Sequence, residues 1–128
     1  MREIKFRAWR KKYCWMEEVY LFDFSVNEVW LKHDGIEYYL NLNEVELMQY
    51  TGLKDKNEIE IYEGDILRVR KNISEKDFPE YTGEVKIHSI GYLTCGQYRI
   101  LSDELLDVGC EVIGNIYENA ELLGDIKK

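Results

Sequence analysis

Residues 26–42 read VNEVWLKHDGIEYYLNL, and the Asp34-Gly35 pair at their centre decides how the chain folds. Asp-Gly between two runs rich in β-branched and aromatic residues is a strong short-range hairpin signal, because glycine tolerates the positive φ that tight hairpin turns use. Residues 26–32 and 36–42 are therefore expected as paired antiparallel strands. Upstream, residues 3–9 alternate, with Ile4, Phe6 and Ala8 on one side and Lys5, Arg7 and Trp9 on the other. Period two over that length is a half-buried strand. The charged turn Arg10-Lys11-Lys12 then leads into a returning strand over 13–20. The first forty or so residues thus predict an antiparallel meander.

Downstream the same signals recur at shorter intervals. Residues 47–52 end in a glycine, 60–62 resume β character, and Glu63-Gly64-Asp65 turns the chain. Residues 66–70 place Leu67 and Val69 on one face and Arg68 and Arg70 on the other. Residues 71–81 are polar, carry Pro79, and predict a long loop. Residues 82–89 put Val85 and Ile87 inward with Glu84, Lys86 and His88 outward. Short strands are expected at 92–94, 98–101 and 110–118. Ser102, with acids after it, starts a helix, since a serine cap and a negative first turn both suit a helix N-terminus. Asn119 caps a second short helix, 120–123, stopped by Gly124.

Composition agrees with a mainly β domain. The chain has 128 residues, 45% hydrophobic and 33% charged, with ten Tyr, four Phe and three Trp. That profile is globular. Alanine, the best helix former, occurs only as Ala8 and Ala120. One domain over 1–128 is expected, within which 1–50 and 60–119 can pack as sub-layers. Three cysteines, Cys14, Cys95 and Cys110, form an odd and widely spaced set, which suits reduced thiols in a cytoplasm. The N-terminus has no apolar signal core, and no apolar run reaches spanning length, so a cytoplasmic protein without membrane contact is expected.

Three stretches carry a resemblance. MREIKFRAW at the start, MQYTGLKDKN with EIYEGDI within 48–66, and EVIGNIYEN at 111–119 resemble the hallmark segments of the YopX family of bacteriophage and prophage proteins. The resemblance spans the whole chain. It implies a predominantly β fold whose C-terminal half is similar to an SH3-type barrel, and it carries no assigned activity or catalytic residues. Three positions depart from the family's pattern. Arg10 stands where Asp usually follows Ala-Trp, Glu58-Ile59 stand where the turn after Asn57 carries Gly-Lys, and Ala120 replaces the Pro after Glu-Asn.

Function is harder to read. Asp55, Glu60, Glu63 and Asp65 can be taken as paired carboxylates for acid–base chemistry or Mg²⁺, but solvated acids in a β-turn explain the same letters more simply. His88, Cys95 and Cys110 match no zinc spacing, Ser102 lacks a nucleophile elbow, and no glycine-rich phosphate loop is present. The expectation is a non-catalytic protein without cofactor or metal. Net charge is −8, from 17 basic and 25 acidic residues, which repels nucleic acid and anionic membranes. The charge is uneven: six cations face Glu3 alone within 1–12, while 103–126 carry seven acids and no base. Arg68, Arg70, Lys86, His88 and Arg99 fall on outward faces of neighbouring predicted strands, with Tyr92 and Tyr98 nearby. Basic side chains interleaved with aromatics are how small barrels bind single strands, although pairing with Glu84 and other acids makes the same face a mixed one. Trp9, Trp15 and Trp30 are expected in the core rather than as a docking patch. The leading expectation is a protein-interaction module whose partner is another protein or a second copy, and the alternative is a nucleic-acid-binding small barrel.

Overall fold

The computed structural model describes residues 5–69, 81–88, 93–96, 98–100 and 109–127, with backbone alone for 98–100 and 125–127. Eleven strands form among them: β1 Phe6–Arg10, β2 Trp15–Asp23, β3 Glu28–His33, β4 Ile36–Asn41, β5 Val45–Lys54, β6 Glu60–Tyr62, β7 Asp65–Val69, β8 Tyr81–Ile87, β9 Leu93–Cys95, β10 Tyr98–Ile100 and β11 Cys110–Asn115. A six-stranded sheet runs β4-β3-β2-β1-β5-β6 and a five-stranded sheet runs β10-β9-β8-β7-β11. Antiparallel ladders join β1 to β2 and β5, β2 to β3, β3 to β4, β7 to β8 and β11, and β9 to β8 and β10. Contacts divide the chain into two compact units, Glu3–Tyr50 and Thr51–Lys128.

The first unit is the expected meander. Asp34 and Gly35 take φ of 49° and 81°, and His33 pairs with Ile36 across them. β1 sits between β2 and β5, pairing Ala8 with both Glu17 and Leu47. Its core gathers Ala8, Val29, Leu31 and Val45, with Val19, Tyr38, Leu40, Leu42 and Leu47 packed around them. The β2–β3 ladder skips Tyr20, a bulge that leaves both Tyr20 and Leu21 exposed.

The second unit centres on Ile61, Leu67, Val69, Val85, Leu93, Cys95 and Cys110. Leu67, Val69 and Val85 face inward as their alternation predicts, while Arg68 and Lys86 do not. Close packing of β8 on β9 requires Gly83, since a Cβ there would lie 2.6 Å from the Gly96 nitrogen. The barrel-like expectation needs correction. No closed barrel forms: the five-stranded sheet is open, with β10 and β11 at its ends and no ladder joining them among the described residues. The C-terminal helix is a 3₁₀ segment, Ala120–Lys127, broken at Gly124, where φ is 55° and ψ is −138°. Its first turn closes by a three-residue bond, Leu122 N–H to the Asn119 carbonyl. The helix start expected at Ser102 and the loop expected over 71–81, apart from Tyr81 itself, lie outside the described residues.

Candidate functional site

The hallmark acids hold turns. Asp55 is 2% exposed. Its Oδ1 accepts the N–H groups of Asn57 and Ile59, and its Oδ2 accepts that of Val112, stitching the 55–59 turn to β11. Lys56 N–H donates to the Cys110 carbonyl beside it. Asp65, also buried, accepts the Tyr62 N–H through Oδ2. Gly64, at φ 90°, donates to the Val85 carbonyl and accepts from Ile116 N–H. At the C-terminal segment Asn115 Oδ1 accepts the N–H groups of Tyr117 and Glu118, while Asn119 Oδ1 accepts that of Asn115. Gly114 is obligatory there, because a Cβ would lie 2.5 Å from Asn119 Oδ1. Carboxylates that accept several backbone N–H groups are the anchors of Asx-type turns.

Of the basic residues picked from sequence, Arg68 pairs with Thr82 on one side and Glu111 on the other, and its Nη1 lies 3.3 Å from Glu111 Oε1. Lys56 reaches the other oxygen of the same carboxylate at 3.7 Å. Lys86, Thr94 and Arg99 occupy one cross-strand row over β8, β9 and β10. Lys86 is exposed. His88 Nε2 lies 2.9 Å from Thr94 Oγ1. Arg70 lies outside the described residues, as does Tyr92. Of His88, Cys95 and Cys110, set aside from sequence as matching no zinc spacing, burial pushes the Cys95 thiol up to about 12 and that of Cys110 up to about 11, so both stay protonated at neutral pH. Cys14 is exposed.

Sequence reasoning missed the surface of the first unit. Among the described residues, eight of the ten large exposed apolar side chains fall within residues 13–39: Tyr13, Trp15, Tyr20, Leu21, Phe24, Val26, Ile36 and Tyr39. Only Trp9 is a buried tryptophan; Trp30 is half-buried, and Trp15 is exposed. On the outer face Trp30 and Tyr39 are directly opposed, with ring centroids 5.0 Å apart, and Tyr20 Oη donates to Glu37 Oε2 at 3.0 Å. The other face ends in a second aromatic group. Tyr13 stacks on Trp15 at 5.0 Å and Trp15 on His33 at 4.8 Å. His33 Nδ1 lies 2.8 Å from Oε1 of the buried Glu17, although that oxygen has no aligned hydrogen-bond donor. Burial raises the Tyr38 hydroxyl, and the nearby Glu17 carboxylate adds to the rise against the lowering effect of Arg10. An alternation rule assigns faces but says nothing of how much of a face a neighbour covers, so this exposure left no local signal.

A family model for the YopX protein matches residues 5–124. The chain belongs to the YopX family. Among solved structures it is similar to protein EF1440 from Enterococcus faecalis, with 30% identity and a TM-score of 0.68 over 96% of this chain and 99% of that one. It also shares its fold with protein yopX from Bacillus subtilis, with 18% identity and a TM-score of 0.62 over the same shares. No curated protein matches it. The YopX hallmark segments thus coincide with the turn anchors Asp55, Gly64, Asp65, Gly114, Asn115 and Asn119, which explains them by folding. No helix among the described residues is long and apolar enough to cross a membrane.

Proposed function

We propose that this YopX-family chain is a non-catalytic protein-interaction module of phage or prophage type, working in the cytoplasm, and that its contact surface is the outer face and edge of β2-β3-β4. The concentration of exposed Tyr20, Leu21 and Tyr39 on that face carries the reading, since contiguous exposed apolar surface marks interaction sites. β4 ends its sheet, and no strand pairs with its outer side among the described residues. In a hairpin with a two-residue turn the flanking pair exchanges both hydrogen bonds, so alternate residues thereafter point their amides outward. Those are Glu37 and Tyr39.

A second copy fits this edge. Antiparallel pairing centred on Tyr38 sets Glu37 of one copy opposite Tyr39 of the other, so the outward amides meet and no two glutamates face each other. An isologous contact of this kind is the usual way homodimers form. Light scattering after size exclusion tests it: the wild type is expected to approach twice the 15.3 kDa chain mass as concentration rises, and Tyr39→Glu to remain single. A single-chain mass at every concentration contradicts the reading.

The second reading, nucleic-acid binding by a face carrying Arg68, Arg70, Lys86, His88 and Arg99, is favoured by the Lys86–Thr94–Arg99 row. Against it stand the charge of −8 and the pairing of Arg68 with Glu111. It predicts retention that weakens steeply with salt and falls with Lys86→Gln.

A further inference from the structure

Of the aspartates in the chain, only Asp34 precedes a glycine. The others described have their carboxylates tied to backbone. Asp23 Oδ1 accepts the Ser25 N–H, Asp55 accepts those of Asn57, Ile59 and Val112, and Asp65 accepts that of Tyr62. Asp34 stands at the tip of the β3–β4 hairpin with its side chain 87% exposed, and no N–H among the described residues donates to it. We propose that Asp34-Gly35 is a self-modification site: the Gly35 nitrogen closes on the Asp34 carboxyl, and the resulting succinimide opens to isoaspartate, with His33 supplying the proton. The product is covalent, so the inference stands independently of the β4 contact.

The nucleophile is open. Gly35 has no side chain to shield its amide, and a Cβ there would meet nothing within 4 Å. Its N–H has no hydrogen-bond partner among the described residues. Asp34 Cγ and the next nitrogen belong to one residue pair, so closure is intramolecular and makes a five-membered ring.

The proton donor is held in place. His33 Nε2 lies 3.4 Å from Asp34 Oδ2, and its Nδ1 lies 2.8 Å from Oε1 of Glu17, which is buried. Trp15 stacks on the imidazole with the planes 10° apart. A histidine oriented through one nitrogen presents the other for proton transfer.

In the first step the Gly35 nitrogen bonds to Cγ and loses its proton, and one Cγ–O bond of Asp34 breaks. That oxygen leaves as water, carrying the amide proton and one from His33 Nε2. Water then adds to the ring. Opening at Cγ returns aspartate, whereas opening at the Asp34 main-chain carbonyl gives isoaspartate, and the proton released by the new carboxyl returns to His33. The isoaspartyl chain runs through Cβ and Cγ, which adds one atom to the turn. His33 and Ile36 pair directly across that turn, so the modification acts on the register of β4.

Enzymatic methylation of isoaspartyl carboxylates, with mass mapping of the tryptic peptide that begins at His33, tests the site. The full chain is incubated at mildly acidic pH, where histidine side chains take up their proton. Label is expected to accumulate at Asp34 and at no other aspartate, and faster in the folded chain than in the same chain in urea. His33→Gln is expected to slow it about tenfold or more, since a positioned acid contributes about a hundredfold or more. The comparison with urea decides the matter even where that variant fails to fold. No label at Asp34, faster labelling in urea than in the folded chain, or a rate that folded His33→Gln leaves unchanged overturns the proposal.

Discussion

Glu58 holds φ of 63°, a left-handed conformation that costs a non-glycine residue roughly 1–2 kcal/mol. It occupies the place in the 55–59 turn where the family pattern carries glycine, and it pays that strain because Asp55 fixes the backbone on both sides of it. Its own N–H donates to the Asp55 carbonyl. Glu58→Gly is expected to raise stability by about 0.5–1 kcal/mol, the relief of the left-handed backbone less the extra entropy that glycine loses on folding. Urea denaturation measures it; a loss of stability would mean the Glu58 side chain contributes more than its backbone costs. The sequence shows that a family glycine is missing here. It does not show whether the turn keeps its geometry, because that depends on acceptors held elsewhere.

At the scale of elements, the turn around Asp55 fastens to a strand 57 residues further along the chain. Asp55→Ala strands the N–H groups of Asn57, Ile59 and Val112, two in the turn and one in β11. Each of these part-buried bonds is worth about 1 kcal/mol net, so a total loss of roughly 3 kcal/mol is expected in chemical denaturation. A change under about 1 kcal/mol would show that water replaces the carboxylate. Local links such as the Asp34-Gly35 turn and the alternation in β7 and β8 are legible because they depend on neighbours in sequence and on one buried face. The bond to Val112, the Arg68–Glu111 pair and the bulge at Tyr20 are not, since each depends on which strands become neighbours.

For the whole molecule, the mainly β class was legible from composition and turn spacing, but the barrel was not realised: its sheet stays open in the described residues. Burial of tryptophan was read from averages, and Trp15 departs from them because the β1–β2 turn puts it at the end of the face, where less covers it. The exposed apolar side chains on residues 13–39 are what the proposed interaction module rests on. Hydrogen–deuterium exchange in dilute and in concentrated protein tests that account most directly. The account predicts that the amides of Glu37 and Tyr39 become protected as concentration rises, while those of β11 do not change. Exchange at Glu37 and Tyr39 that is equally fast at every concentration would contradict it.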